Sequence, residues 1–147
     1  MRVVFRVDAS DSIGSGHVMR CLTLADALRK SGAETAFVTR AHKGHLATLI
    51  KARGHAVHLL PGKATAGFGD DPYAAWLGAD RNDDAIETGA AIEAYGLVDW
   101  LIVDHYAIDV RWEATLRDYA RRIMLIDDLA NRKHDCDLFI DPNLVAD

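Results

Sequence analysis

Val3-Val4-Phe5-Arg6-Val7, then Asp8-Ala9-Ser10-Asp11-Ser12-Ile13-Gly14-Ser15-Gly16, then a helix-period run from His17: this opening decides the fold. An apolar run of strand length ends in an acid, crosses a glycine-bearing loop and enters an amphipathic helix. The helix's apolar face is Val18, Cys21, Leu22, Ala25 and Leu28, spaced i, i+3, i+4, i+7. Gly32 takes the C′ position that stops it. Gly14 and Gly16 let the backbone turn tightly and admit a ligand close to the main chain. The helix start behind them, with free N–H groups and the positive dipole end, suits a phosphate or an oxyanion.

The same unit recurs outward from there. Thr35–Val38 reads as a strand, and Leu46, Leu49 and Ile50 mark a helix closed by Gly54. Ala56–Leu60 is the third strand. Pro61 to Asp80, with four glycines and Pro72, reads as a loop long enough to be functional. A helix over Asp84–Tyr95, a strand at Trp100–Val103 and a helix striped by Trp112, Leu116 and Tyr119 follow. Ile123–Ile126 and Leu138–Ile140 are the last strands. Near-continuous apolar strands separated by single helices predict an α/β fold, a doubly wound parallel sheet covered on both faces. Ligands in such sheets sit beyond the C-terminal strand ends, where the strand order reverses. The residues to watch are therefore Asp8 and the loop to His17, Thr39-Arg40, Asp104-His105-Tyr106 and Asp127-Asp128.

Bulk composition fits one cytoplasmic domain. The chain has 147 residues, 50% of them hydrophobic, with 17 basic against 22 acidic side chains and a net charge of -5. That balance gives no reason to expect a nucleic-acid partner. No run of 18 apolar residues predicts a membrane span, and the N-terminus carries no signal-like region. Cys21 and Cys136 lie far apart and outside any CxxC spacing, as reduced thiols do.

The glycine loop is a poor dinucleotide fingerprint. Met19 stands where the third glycine belongs, and Thr39-Arg40 stand where an acidic residue closes the second strand. The P-loop pattern is also missing. Two roles are open to His17: a general base whose neutral form the helix dipole favours, or a residue that only packs at the helix start. Asp8, Asp104 and Asp127 follow strands and converge either as loop-ordering groups, the favoured reading, or as Mg²⁺ ligands of a phosphohydrolase. Asp8 and Asp104 are also placed to bond a ligand hydroxyl or His17. His105 and Tyr106 read equally as substrate contacts or plain loop residues. Tyr73 and Trp76 stack on a sugar or pack the loop. Trp112 and Tyr119 read as core, and His134-Asp135-Cys136-Asp137 as solvated loop rather than a metal site.

Several stretches together resemble one family. They are Arg6-Val7-Asp8-Ala9-Ser10, Ile13 through Ala25, Trp76-Leu77-Gly78, Asp99-Trp100, Val103-Asp104-His105-Tyr106, Trp112-Glu113, Ile126 through Arg132, and His134-Asp135-Cys136-Asp137. The family is the UDP-2,4-diacetamido-2,4,6-trideoxy-β-L-altropyranose hydrolases of pseudaminic acid synthesis, with related spore-coat polysaccharide proteins. The resemblance spans the chain. It implies the N-terminal lobe of a GT-B fold, two Rossmann-like lobes across a cleft, as in the peptidoglycan N-acetylglucosaminyltransferase. It also implies a hydrolase that needs no metal or other cofactor, in which water attacks the anomeric carbon, UDP leaves and the sugar inverts. His17 is then the catalytic base. Gly14, Ser15, Gly16 and Arg20 shape the sugar or diphosphate side, although Arg20 also suits a surface salt bridge. The resemblance places most of the UDP on a second, C-terminal lobe, supplied in cis or in trans. Asp141-Pro142-Asn143 is expected to begin the route towards it, and 1–147 alone to fold but hydrolyse little. A metal phosphohydrolase and a non-catalytic sugar-nucleotide-binding module are the rival readings.

Overall fold

The computed structural model describes residues 1–62, 73–129 and 131–143. Arg2–Val7 (β1), Glu34–Arg40 (β2), Ala56–Leu60 (β3), Val98–Asp104 (β4), Ala120–Ile126 (β5) and Leu138–Ile140 (β6) form one sheet. All pairings are parallel, in the order β3-β2-β1-β4-β5-β6. The helices are Gly16–Lys30 (α1), Ala47–Ala52 (α2), Ala74–Leu77 (α3), Arg81–Glu93 (α4) and Val110–Leu116 (α5). The α/β doubly wound arrangement follows from the strand pattern. Successive strand residues face opposite sides, so Val3, Phe5 and Val7 pack under Val18, Cys21, Leu22 and Ile50 of α1 and α2. Val4, Val38, Leu101 and Val103 pack under Ile92, Trp112 and Leu116 of α4 and α5. Phe5 and Phe37 lie opposite in the β1–β2 register and stack at 4.7 Å, worth about 0.5–1.5 kcal/mol beyond the area they bury.

Four expectations change. The stretch 61–80 is not all loop, because α3 sits inside it, ended by Gly78 in the left-handed region; residues 63–72 lie outside the described chain. The helix expected over Asp84–Tyr95 starts three residues earlier, since Asp80 caps it by accepting from Asn82 and Asp83 N–H. Tyr119 belongs to the turn after α5, its ring against Gly89, where a Cβ would sit 2.7 Å away. Cover on both faces holds for the inner strands only. Leu138, Phe139 and Ile140 of β6 are 45%, 45% and 40% exposed, because no described residue of the 127–137 connection is helical.

The α4 side of β1 and β2 carries two arginines where the strand pattern calls for apolar residues. Arg6 and Arg40 are both fully buried and converge on the Asp84 carboxylate of α4. Asp84 accepts from Arg6 Nε at 3.2 Å and Nη2 at 2.6 Å, Arg40 Nη2 at 2.7 Å, Trp112 Nε1 at 2.9 Å and Thr88 Oγ1 at 3.3 Å. Burial pushes the Asp84 carboxyl up, but the two guanidiniums and their hydrogen bonds hold it below the usual range. Among the described residues Arg40 Nε has no hydrogen-bond partner, but the shared carboxylate is fully engaged; a buried cluster paired in this way is tolerated, and one stripped of its carboxylate is not. Asp84→Ala removes the carboxylate that Arg6 and Arg40 share, leaving Arg6 with Asp8 at 2.6 Å and Arg40 with Glu87 at 3.0 Å, and is expected to lower stability by about 3–5 kcal/mol. A urea titration of the variant checks this, and a loss under 1 kcal/mol refutes it.

Candidate functional site

The strand order reverses between β1 and β4, which pair directly, and the crevice beyond their C-terminal ends is where such a sheet binds ligands. Asp8 leaves β1 there, Asp104 ends β4, and α1 begins above both. Gly14 supplies the turn, at φ +80, with Gly14 N–H bonded to Ser10 C=O at 2.8 Å. A Cβ on Gly14 or Gly16 would meet nothing, so the loop's outer face is open. Ser15 is the N-cap of α1 but makes no side-chain cap bond. Gly44, at φ +86, touches the loop from the other side; a Cβ there would lie 2.4 Å from Asp11 Oδ1. The glycine loop and the β2–α2 loop are thereby seated on one another.

His17, in the first turn of α1, lies across from Asp104 with Nδ1 2.7 Å from Oδ1. The His17 side chain is 13% exposed and that of Asp104 fully buried. A carboxylate oxygen only accepts, so at this distance Nδ1–H donates to it. The 3.2 Å approach of Arg20 Nη2 to the same Nδ1 is therefore a contact between two donors. Arg20 instead forks onto Asp104, Nε to Oδ2 and Nη2 to Oδ1 at 2.5 and 2.6 Å. Burial pushes the Asp104 carboxyl up, but Arg20 and His17 together hold it below the usual range. Tyr106 meets the His17 ring edge-on at 4.7 Å and donates its hydroxyl to Asp128. Burial and that carboxylate push the Tyr106 phenol up to about 12. Asp128 in turn lies 3.9 Å from Arg20 Nη1. The side chains thus run in a closed circuit: His17, Asp104, Arg20, Asp128, Tyr106 and back to His17.

Asp8 and His105 form a second layer. Asp8 accepts from Arg6 at 2.6 Å, Arg40 N–H at 2.8 Å, Thr39 at 3.2 Å, His42 Nε2 at 3.2 Å and His105 Nε2 at 3.0 Å. Burial opposes its charge, but Arg6 and the two histidines hold it ionised, well below the usual range. Both its oxygens are engaged, which anchors Asp8 at the floor of the crevice. Ala107 N–H donates to His105 Nδ1 at 3.1 Å; His105 is neutral, and burial pushes it down. Tyr73 and Trp76 pack on Tyr106, at 5.1 Å and 5.8 Å. Trp76 also walls two hollows. A narrow one, too tight as it stands to hold a water molecule, is lined by Asp8, Ile13, His17, Trp76, Asp104, His105 and Tyr106. A wider one is lined by Ser10, Ser12, His42 and Lys43. A cleft of about 480 Å³ between the starts of α4 and α5 lies off the switch point, with Arg81 and Asp109 3.7 Å apart in its lining.

Sequence reasoning placed Asp128 among the strand-end residues to watch without a partner, and did not single out His42. Asp128 stands two residues past β5 and His42 two residues past β2, so strand-end position was the signal for both. It also misplaced His134, which is not solvated. Its side chain is 9% exposed, with Nδ1 2.7 Å from Glu113 and Nε2 3.1 Å from Asp127. Among the described residues no cluster of three or more His, Cys, Asp or Glu suits a metal ion, and no helix is long and apolar enough to cross a membrane. No family model matches the chain, and no curated protein matches it.

His134 fixes the connection that carries Asp127 and Asp128. Desolvation lowers its affinity for a proton, but Asp127 and Glu113 more than reverse this and raise it to about 9 from 6.5. A group raised on folding stabilises fully below the unfolded value and loses that contribution as pH climbs through the folded one. Stability should therefore fall between about pH 6.5 and 9, by roughly 1–3 kcal/mol. Urea midpoints across that window measure it; a slope equally steep in His134→Gln would assign the effect elsewhere.

Proposed function

We propose that this chain is the catalytic lobe of an inverting sugar-nucleotide hydrolase of GT-B architecture. Its substrate is UDP-2,4-diacetamido-2,4,6-trideoxy-β-L-altropyranose, and His17 is the general base. The supporting observation is the His17–Asp104 pair at the switch point: Asp104 accepts a hydrogen bond from Nδ1–H, and the ring lines the narrow hollow. Such a pair orients an imidazole and steadies the imidazolium that forms during proton transfer. In the reaction proposed, Nε2 removes a proton from water. The water oxygen bonds the anomeric carbon as the carbon–oxygen bond to the diphosphate breaks, and UDP leaves with the bonding pair. Attack opposite the leaving group inverts the sugar, which fits a base in this lobe and a diphosphate held by a facing one. The open glycine loop of Gly14, Ser15 and Gly16, with the start of α1, lines the side on which the sugar nucleotide enters.

The metal phosphohydrolase reading has less support. Asp8, Asp104 and Asp127 already accept from arginine, histidine or main-chain donors, which leaves no open set of carboxylates.

UDP release from the diacetamido sugar, measured with the UDP-binding lobe present, should fall by about 10²–10⁴-fold in His17→Asn. Calorimetric binding of the nucleotide sugar should stay within a few-fold and be indifferent to chelator. Unchanged turnover in His17→Asn sinks the assignment. Activity that vanishes in chelator and returns with Mg²⁺ would favour the phosphohydrolase.

A further inference from the structure

We infer that Arg20 is a positioning residue for the His17–Asp104 pair and not a ligand for the substrate's diphosphate; this rests on His17 acting as the base. Arg20 lies one helical turn after His17, so both side chains leave α1 on the side of Asp104. Its fork is already spent: Nε on Asp104 Oδ2, Nη2 on Oδ1, and Nη1 towards Asp128 Oδ2 at 3.9 Å. A planar guanidinium gripping both oxygens of one carboxylate fixes that carboxylate's rotation, which a lysine ammonium does not do. Oδ1 is thereby kept at His17 Nδ1.

The fork also sets how strongly Asp104 pulls on the imidazole. The Asp104 side chain is fully buried, and the groups facing the pair are Arg20 and Cys21 of α1, Tyr106, Asp128, and Asp8 with His105 across the hollow. Asp8 and His105 are already committed to one another and to Arg6. Arg20 is the one cation that directly neutralises Asp104 among these groups. Without it the buried carboxylate has only His17 to balance its charge, and the imidazole is drawn towards its protonated, non-basic form.

Two measurements test this, one of which needs no turnover. Ring ¹³C/¹⁵N NMR of His17 in the free chain follows its titration in wild type, Arg20→Met and Arg20→Lys. The pH–rate profile of UDP release follows the same variants. In Arg20→Met the His17 titration and the acid limb of the profile should both move up by about one pH unit, while KM shifts less than about threefold. Arg20→Lys should return the limb most of the way, since charge is restored, yet leave kcat about tenfold low because the fork is lost. A KM raised about tenfold or more, with limb and ring titration unmoved, overturns the inference and makes Arg20 a substrate ligand. A ring titration that moves, with no hydrolysis of the nucleotide sugar even when the UDP-binding lobe is present, upholds Arg20's role and overturns the hydrolase reading instead. An active chain with an unmoved ring does the reverse.

Discussion

At the centre of the molecule two guanidiniums, Arg6 and Arg40, share one carboxylate with no solvent in reach, and everything at the strand ends is hung from that knot. Arg6 also reaches Asp8, so the first and second layers of the site are joined through a single side chain of the central strand. The desolvation of so many charges is costly, and it is offset only because Asp8 and Asp84 each receive five hydrogen bonds. Such an arrangement tolerates few geometries. Its gain is definition: β1, β2 and α4 are keyed to each other by directional contacts as well as by area.

That definition reaches the crevice by two routes. Through Asp8 it fixes His42 and His105, closing the floor beneath the hollow with neutral or paired groups. Through the β4 pairing it fixes Asp104, on which His17 and Arg20 depend. The imidazole therefore receives one hydrogen-bonded carboxylate and one aromatic neighbour, both held from behind. Neither the helix dipole nor the glycine loop, the features most visible in the sequence, supplies this.

Much of the fold was legible because its signal is local. Strand and helix periods from Val3 to Ala25 are unmistakable, and β3 and β6 fall where their apolar runs place them. Strand-end reasoning brought His17, Asp104, His105 and Tyr106 to one crevice, and the structure gathers them there. What stayed hidden depends on partners far along the chain. Arg6 in an apolar strand looks like a blemish until Asp84, 78 residues on, is seen beneath it. Asp84 itself reads as an ordinary first-turn acid. His134 looked solvated because its neighbours are polar, yet Glu113 and Asp127 fold over it. Arg20 was placed on a surface or a substrate because its real partner comes 84 residues later. Periodicity reports which way a side chain faces and is silent on what it meets.

The short outer strand has a further meaning. β6 joins the sheet through three residues whose side chains stay open to solvent, while the connection leading to it bears Asp128, the remote member of the circuit around His17. Marginal pairing at a sheet's rim opens long before the interior does. Transient fraying at this rim would loosen Tyr106 and Arg20 while β1 to β5 stay intact, so the circuit around His17 is a more fragile property of this molecule than its architecture. Ageing or warmed preparations would keep their spectroscopic signature of folding after the imidazole had lost its bearings.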